Sequence, residues 1–475
     1  MYLLPKNIQF LLLFILFFTA CGSEGGGSNQ ESNISNNESP ALQEPFPLAS
    51  NDDISDTQYF KVLSPRVCTQ ENQNRFIYQV MHDSYLWAST TPELDYRDTT
   101  HYNSNEKILE ALRDSGDHFS FIIDKQEANS YFQEGKNDNF GFAIQLVPFD
   151  QERYALVVTF VYPDSPADKA GFKRGDIITL VANQAITEAS LDAIVSTIEN
   201  QDTITFTLWD NNLTQNKSIT KNSYDIKTIL YSNIFDNPNG NQKIGYMVFQ
   251  DFIDTATQEI NALFTHFKNN HIDDLILDLR YNGGGSVDVA KHLASLIGGI
   301  HVSGNIFHHV TLNETYSKYN FTSYFERYNS NELSLNRVFI LTTNASCSAS
   351  ELVINALRAS VNNIEVIQIG SATCGKPYGF IGSGNFCEKS LFAINMETKN
   401  SDNVGDYTQG LTPTCLANDN IFKDFGDPKE DLLKEALLYI STNHCGTQTN
   451  IQKADTQQKV LTLKQNGFKK LMPAY

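Results

Sequence analysis

The chain reads Asn344-Ala-Ser-Cys-Ser-Ala-Ser-Glu351 directly before an apolar stripe that predicts a helix. Ser348 lies at the expected N-cap, and Glu351 stands where it would complete a capping box. The free amides at the start of a helix favour negative charge, so they suit an alkoxide or oxyanion beside Ser348. An ordinary helix cap with no chemical role is the alternative interpretation.

A lysine downstream of Ser348 supplies the base that a serine nucleophile needs. Lys376 lies 28 positions after Ser348, within Thr373-Cys-Gly-Lys-Pro-Tyr-Gly379. A serine attacks a carbonyl only when something removes its proton, and a lysine can do so when burial lowers its pKa towards neutrality. A Ser-His-Asp hydrolase is not indicated, because the chain has no Gly-x-Ser-x-Gly motif.

A second motif, Asp278-Leu-Arg-Tyr-Asn-Gly-Gly-Gly285, follows the apolar run 275–277 and predicts a buried strand that ends in a glycine turn. Glycines let backbone N–H groups approach a substrate carbonyl, as an oxyanion hole requires. The candidate oxyanion-hole donors are Gly283, Gly284 and, at the start of the helix, Ala349. A tight strand-to-helix turn without chemistry is the alternative.

Together these segments resemble the C-terminal processing peptidases (tail-specific proteases), which are serine peptidases with a Ser/Lys dyad. The resemblance implies that Ser348 is the nucleophile and Lys376 the general base. It also matches the family's Asp-Leu-Arg-x-Asn-x-Gly-Gly turn to residues 278–285 and its late Gly-Ile-x-Pro segment to Gly410-Leu-Thr-Pro413. These motifs occur in family order.

The chain departs from the family pattern around the lysine. Many members have a glutamine four residues after the lysine that orients it, whereas this chain has Phe380. The Ser-to-Lys spacing is a few residues longer, and Pro377-Tyr-Gly replaces the usual Gly-Ser/Thr. What orients Lys376 is therefore open, with Tyr378 or a backbone carbonyl as candidates.

Residues 133–224 resemble a PDZ domain. The carboxylate-binding loop and peptide-pairing strand of such domains match Phe140, Gly141, Phe142 and Ile144. The resemblance implies that consecutive N–H groups capture a terminal carboxylate and that the strand edge pairs with the peptide. A PDZ domain that acts purely as a regulatory lid is the alternative.

The length of 475 residues is sufficient for about three domains. Helical periodicity predicts an N-terminal helical domain at 61–132, and alternating strands and helices predict an α/β protease core at 225–445. The predicted fold class is therefore a multidomain α+β/α/β protein of tail-specific protease type, with a polar tail at 446–475. Predicted core strands are 244–249, 274–278, 336–341 and 364–369, and predicted core helices are 257–269, 287–297, 350–360 and 422–439.

The first residues predict export and lipid attachment. Residues 1–20 contain an apolar run, 8–18, that is typical of a signal peptide and too short to span a membrane. Small residues before Cys21 resemble a lipobox, so Cys21 is the predicted lipidation site, with ordinary signal cleavage as the alternative. Cys21 and the Gly/Ser/Asn-rich linker occupy residues 21–60. The predicted location is the bacterial cell envelope, as an outer-membrane lipoprotein facing the periplasm or the cell surface.

Besides Cys21, the chain has six cysteines, at positions 68, 347, 374, 387, 415 and 445. An even number in an exported chain suggests disulfides, and six cysteines allow fifteen connectivities. Cys415 and Cys445 are the predicted pair, because they bracket the last helix of the core. Cys347 and Cys374 flank the predicted dyad, where a small buried residue is the alternative role.

The net charge of −20 and the absence of a Lys/Arg-rich block argue against nucleic acid or an anionic membrane surface as a partner. The histidines and cysteines have no metal-ligand spacing, so neither a metal nor another cofactor is predicted. The predicted partners are protein or peptide substrates, bound through their C-termini, and a membrane that is reached through the lipid anchor.

Two functions fit these features. The first is an exported, lipid-anchored serine endopeptidase whose PDZ domain recruits or gates protein C-termini. The second is a catalytically degenerate PDZ lipoprotein that acts as an adaptor or scaffold. Ser348, Lys376 and the glycines 283–285 favour the enzyme, whereas Phe380 favours the adaptor.

Overall fold

The computed structural model describes residues 54–210, 213–237, 240 and 242–446. The predicted signal peptide, Cys21, most of the linker and all but the first residue of the polar tail lie outside these residues. Among the described residues, no helix combines the length and the apolar character needed to cross a membrane.

The N-terminal part combines helices with short strands. Its elements are β1 (Ile54–Tyr59), β2 (Val62–Pro65), α1 (Gln70–Asp83), α2 (Asn105–Leu112), β3 (Phe121–Asp124) and α3 (Lys125–Phe132). The predicted helical domain at 61–132 is less helical than expected, since Ser84 ends α1 as its C-cap and short strands lie at both ends of the segment. The strand β3 was also not predicted, and it pairs with a strand of the core.

The PDZ segment folds around an antiparallel sheet with the strand order β10-β9-β7-β6-β5. Its strands and helices are β4 (Lys136–Asn139), β5 (Phe142–Pro148), β6 (Tyr154–Val161), α4 (Pro166–Lys169), β7 (Ile177–Val181), β8 (Gln184–Ala185), α5 (Leu191–Asn200), β9 (Thr203–Asp210), β10 (Leu213–Thr220) and β11 (Asn222–Asp225). The strands β4 and β11 pair where the chain enters and leaves the domain. The strand β5 lies at the edge of the sheet, so a peptide can pair with it.

The core is built on a six-stranded sheet with the order β12-β13-β14-β17-β18-β23. Its strands are β12 (Ile229–Asp236), β13 (Lys243–Phe249), β14 (Asp274–Asp278), β15 (Ile306–Leu312), β16 (Phe321–Tyr324), β17 (Arg337–Thr342), β18 (Glu365–Gly370), β19 (Tyr378–Gly379), β20 (Gly384–Phe386), β21 (Lys389–Phe392), β22 (Met396–Lys399) and β23 (Cys415–Leu416). Its helices are α6 (Ala256–Asn269), α7 (Val287–Gly298), α8 (Ala349–Leu357) and α9 (Asp431–Thr442).

In this sheet β13, β14, β17, β18 and β23 run parallel to one another. The central strands β14 and β17 are buried on both faces, which explains their continuous apolar sequences. In β14, Leu275 and Leu277 pack with the cluster that contains α6, α7 and α8, whereas Ile276 packs with α9 on the other face. The multidomain fold class is confirmed, and the four predicted core strands are present with shifts of at most one residue.

The last predicted helix, 422–439, begins too early. The helix α9 starts at Asp431, after Gly426 with a φ of 82° and after Pro428, and neither residue suits the interior of a helix. The Glu430 side chain then caps α9 by accepting the Leu433 N–H. The predicted helix 350–360 corresponds to α8, which ends at Leu357, three residues before the predicted end.

A buried charge cluster connects the turn after β14 with the C-terminal part of the core and with the PDZ domain. The fully buried Arg280 guanidinium lies 2.6 Å from Asp278, 2.7 Å from Asp419 and 2.9 Å from Glu430. Arg174 of the PDZ domain contacts the same Asp419 carboxylate at 2.6 Å. Three carboxylates surround Arg280, so its charge is compensated in the interior and the conformation of the turn is restricted.

Candidate active site

Three loops at the carboxyl edge of the core sheet bring the predicted residues together. Gly283 follows β14, Ser348 follows β17 and Lys376 follows β18. These three strands are adjacent and parallel, so their carboxyl ends lie side by side. Sites in open α/β sheets commonly form at this edge.

Ser348 is half-buried at the N-cap of α8 and has a left-handed backbone, with a φ of 56°. A non-glycine residue adopts this conformation only when its surroundings enforce it, and such strain is common at functional sites. The glycine turn contributes to these surroundings. A Cβ atom on Gly284 would lie 2.7 Å from Ser348 Cβ, so the close approach requires glycine.

The Glu351 carboxylate connects the serine segment with the lysine segment. Its Oε2 accepts the N–H groups of Ser348 and Lys376, both at 2.9 Å. Its Oε1 accepts the Thr373 hydroxyl at 2.6 Å and the Gly375 N–H at 2.8 Å. Burial raises the pKa of Glu351, and these four hydrogen bonds oppose the increase. The predicted capping box is present, but it accounts for only one of these four donors.

A disulfide joins the same two segments. Cys347 is bonded to Cys374, so the interpretation of each as a free, small buried residue is wrong. The other two pairs are Cys68–Cys387 and Cys415–Cys445, the second of which is the pair named from the sequence. The partner of Cys347 follows from the parallel pairing of β17 with β18, which the positions of the cysteines do not reveal.

Lys376 is 2 % exposed, and aromatic rings surround its amine. Its Nζ lies 4.5 Å from the centre of the Phe380 ring and 5.1 Å from that of Phe119. Burial lowers the pKa of Lys376 to about 8, against the opposing effect of the negative charges of Asp117 and Glu351. Within the described part of the chain, no hydrogen bond joins Nζ to Ser348 Oγ or to another acceptor. In the described residues, Tyr378 and backbone carbonyls, the candidates for orienting Lys376, therefore form no hydrogen bond with its amine.

The N-terminal domain supplies Phe119, one of the two aromatic rings beside the Lys376 amine. The Asp117 carboxylate accepts the N–H groups of Phe119 and Ser120 at 2.8 and 2.9 Å, and it accepts the Tyr85 hydroxyl at 2.7 Å. These contacts fix Phe119 beside Lys376. Sequence reasoning missed this role, because Phe119 is more than 250 residues from the lysine.

The oxyanion-hole prediction needs one correction. The Gly284 N–H donates to Asn282 Oδ1 at 2.8 Å, so this amide is already engaged. Among the described residues, the N–H groups of Gly283 and Ala349 have no acceptor, and both residues line the same cavity as Ser348 and Lys376. Gly284 therefore serves the site through its missing side chain, and Gly283 and Ala349 are the available donors.

The cavity around Ser348 and Lys376 has a volume of about 540 Å³. Four phenylalanines form an apolar wall, with the Phe121 and Phe392 rings stacked at 4.8 Å. These wall residues are Phe121, Phe132, Phe380 and Phe392. Because α3 also lines the cavity, the N-terminal domain and the core share the site.

The predicted peptide-binding residues lie outside this cavity and differ in burial. Phe140 is 4 % exposed in the PDZ core, so its side chain is not available to a peptide and only its backbone could take part in binding. Phe142 and Ile144 lie half-buried on the edge strand β5. The Gly141 N–H donates to Asn139 Oδ1 at 2.8 Å.

A buried hydrogen-bond chain connects the PDZ loop with the cavity wall. Asp251, which lines the cavity, accepts the Tyr131 hydroxyl at 2.5 Å and the Tyr162 hydroxyl at 2.6 Å. The Tyr162 N–H donates to the Gly141 carbonyl at 2.8 Å. Burial raises the pKa of Asp251 to about 6, and the two tyrosine hydroxyls oppose the increase. The sequence contained no signal for this connection.

Phe380→Gln should raise the pKa of Lys376 from about 8 towards its ordinary value of 10.5, because an amide oxygen stabilises an ammonium group better than an aromatic face does. Phe380→Leu is the matched control, since it removes the ring and keeps the apolar surroundings. NMR titration of ¹³C-labelled lysine, with Lys376→Met to assign the signal, measures both values. An unchanged Lys376 pKa in the glutamine variant, or an equal increase in both variants, would contradict the proposed effect of the amide oxygen.

Family models match three parts of the chain. The model of peptidase family S41 matches residues 243–414, that of the peptidase S41 N-terminal domain matches 72–121, and that of a PDZ domain matches 157–209. These matches coincide with the core, with the helical N-terminal part and with the antiparallel domain between them.

Relatives and solved structures agree with these matches. A protein of Staphylococcus haemolyticus (strain JCSC1435) described as a CtpA-like serine protease is 25% identical over 308 residues, which cover 63% of this chain and 55% of that protein. The corresponding protein of Staphylococcus saprophyticus is 24% identical, with coverage of 63% and 56%. The chain thus spans little more than half of the length of these relatives.

A crystal structure assigned to the S41 proteases, from Bacteroides fragilis NCTC 9343, has the same fold. Its TM-score is 0.64 at 23% identity, and the match covers 78% of this chain and 97% of that one. The family recognised from the motifs is confirmed. The chain contains a peptidase S41 domain, the N-terminal domain of that family and a PDZ domain.

Proposed function

We propose that this protein is a serine endopeptidase in which Ser348 is the nucleophile and Lys376 the general base. The observation that carries the proposal is a buried lysine of lowered pKa, which shares a cavity with a serine at the start of a helix. Lys376 forms no ion pair with a carboxylate among the described residues, so the charges of Asp117 and Glu351 oppose the effect of burial on its pKa only in part.

The lowered pKa makes the base available near neutral pH. With a pKa of about 8, roughly a tenth of Lys376 is neutral at pH 7, against roughly one part in three thousand at the ordinary value of 10.5. Only the neutral amine accepts a proton, so kcat/KM should rise with pH through about 8 and level off above it.

The proposed reaction proceeds through an acyl-enzyme. The Lys376 amine takes the proton from Ser348 Oγ as the oxygen attacks the scissile carbonyl, and the N–H groups of Gly283 and Ala349 stabilise the oxyanion. The Lys376 ammonium then protonates the departing amine. In the second half, Lys376 deprotonates a water that attacks the ester, and it returns the proton to Ser348.

The adaptor remains the second candidate, and two observations favour it. Among the described residues, no hydrogen bond joins Ser348 Oγ to Lys376 Nζ, and Phe380 occupies the position of the orienting glutamine. Catalytic hydrogen bonds are often long before a substrate binds, so this geometry also fits an enzyme at rest.

Ser348→Ala and Lys376→Ala should each lower kcat on unfolded casein by at least about a thousandfold, because the two groups act as one unit. For the same reason, the double variant should be little slower than either single one. A fluorophosphonate probe should label the wild type and not Ser348→Ala. If Lys376→Ala keeps more than about a tenth of the wild-type rate, Lys376 is not the base. An unlabelled, inactive wild type would identify the protein as an adaptor.

We further propose that the PDZ domain recruits substrates through their C-termini. The edge strand β5 supports this proposal, and the connection from Gly141 through Tyr162 to Asp251 offers a physical route from the PDZ loop to the cavity. Arg174 of the PDZ domain forms an ion pair with Asp419, which also pairs with Arg280 in the turn after β14. Movement of the PDZ domain would therefore displace this turn.

A peptide with a free C-terminal carboxylate should be cleaved faster than its C-terminally amidated form, because amidation removes the charge that the loop binds. Both peptides contain the same scissile bond, so the difference should be in KM. A chain with the PDZ edge altered by Ile144→Asp should lose the preference. Equal cleavage of the two peptides by the wild type would assign the domain a purely structural or lid role.

We also propose a lipid anchor at Cys21, which would place the enzyme in the bacterial cell envelope. Mass spectrometry of the mature N-terminus should find Cys21 as the first residue with acyl chains attached. Cys21→Ser should release the protein into the soluble fraction. An unmodified Cys21, or an intact Met1, excludes the anchor. Firm attachment requires more than one acyl chain.

A further inference from the structure

We propose that the Cys347–Cys374 disulfide positions the Ser348/Lys376 pair, so that the peptidase is fully active only when this bond is oxidised. The inference rests on the proposed function, because it concerns the geometry of the same dyad. It assigns a role to two residues that do not touch the substrate, and they are therefore positioning residues.

The bond lies directly beside both members of the dyad. Cys347 precedes Ser348, and Cys374 lies two residues before Lys376. The backbone reinforces this junction, because the Cys374 N–H donates to the Ser346 carbonyl at 3.0 Å. The disulfide and the Glu351 carboxylate thus connect the same two loops, one covalently and one by hydrogen bonds.

The cysteine backbone also contacts the third loop of the site. The Cys347 N–H donates to the Asn282 carbonyl at 3.0 Å, one residue before Gly283. A displacement of Cys347 would therefore move Ser348 away from Lys376 and also away from an oxyanion-hole amide. The positions of Ser348, of Lys376 and of the Gly283 N–H relative to one another thus depend on Cys347.

Reduction changes this geometry by an amount that matters for catalysis. Two bonded sulfurs are about 2.0 Å apart, whereas non-bonded atoms pack at about 3.5–4.0 Å, so the thiols must separate by about 1.5 Å. A misplacement of about 1 Å can lower a rate by about a hundredfold. Part of the cavity wall lies on α3 and on the β21 region, which this disulfide does not join, so the substrate contacts made there should be retained and KM should change less than kcat.

The redox step requires a dithiol reductant. One thiolate of the dithiol attacks Cys374 Sγ, which is more exposed than the 6 % exposed Cys347, and Cys347 leaves as a thiolate. The second thiol resolves the mixed disulfide. The dithiol is oxidised to a disulfide, and Cys347 and Cys374 gain two electrons and two protons in total.

The test compares Cys347→Ala/Cys374→Ala with Cys415→Ala/Cys445→Ala, which removes a disulfide between β23 and the end of α9. The first variant should lose about a hundredfold in kcat on casein with KM within about twofold. The second should keep kcat within about twofold. Thermal unfolding of both variants shows whether they are folded at the assay temperature. A Cys347/Cys374 variant that is folded and has wild-type kcat overturns the proposal.

Reduction of the intact enzyme gives a test that needs no mutation of this pair. Dithiothreitol should inactivate both the wild type and the Cys415/Cys445 variant, and reoxidation should restore them, while the Cys347/Cys374 variant should not respond. Peptide mapping records which bonds are reduced. A chelator is included, because the Cys347 and Cys374 sulfurs and a Glu351 oxygen lie close enough together to hold a metal ion after reduction. Full activity with Cys347 and Cys374 mapped as thiols refutes the role.

The pKa of Lys376 separates this inference from the proposed function. If the oxidised wild type is neither active nor labelled by fluorophosphonate, the peptidase proposal fails. The NMR titration of Lys376 still decides the positioning role, because release of the loop should let water reach the amine and raise its pKa. A pKa that is identical in the oxidised and reduced proteins refutes the positioning role.

Discussion

The site depends on one buried carboxylate, that of Glu351. It accepts hydrogen bonds from the backbone N–H groups of Ser348 and Lys376, from the Thr373 hydroxyl and from the Gly375 N–H. Hydrogen bonds to a charged group contribute about 1.5–3 kcal/mol each, and these four offset part of the cost of burying the charge, because the pKa of Glu351 is still raised. Replacing Glu351 would leave several buried donors without an acceptor. The two loops would then be joined only by the Cys347–Cys374 disulfide and by the hydrogen bond from the Cys374 N–H to the Ser346 carbonyl.

The parallel sheet explains why one carboxylate can reach both loops. The strands β14, β17 and β18 are neighbours, and each is followed within about six residues by a functional group. Their carboxyl ends leave polar backbone groups that need partners, and Glu351 satisfies several of them. The Arg280 cluster restrains the loop after β14 and connects it with Arg174 of the PDZ domain. Since Phe119 of the N-terminal domain lies beside Lys376, all three domains contribute residues near this edge of the sheet.

Lys376 lies in an aromatic environment, with Phe380 four residues after it. Two phenylalanine faces lie near the amine, one from the core and one from the N-terminal domain. Aromatic rings attract an ammonium without accepting a strong hydrogen bond, so they accommodate both protonation states. Burial lowers the pKa of Lys376, and among the described residues its amine forms no hydrogen bond. A neutral amine with a free lone pair is what the proposed role of general base requires.

The sequence alone determined the local elements: the helix start at Ser348, the strand Asp274–Asp278 and the three-part domain order. These features depend on apolar periodicity, caps and glycine turns, which act over a few neighbouring residues. Only the tertiary structure decided that Glu351 connects both loops, that Phe119 reaches Lys376, that Asn282 accepts the Gly284 N–H and that Cys347 pairs with Cys374. These contacts depend on which strands lie side by side and on where each side chain points, and neither is encoded in local spacing.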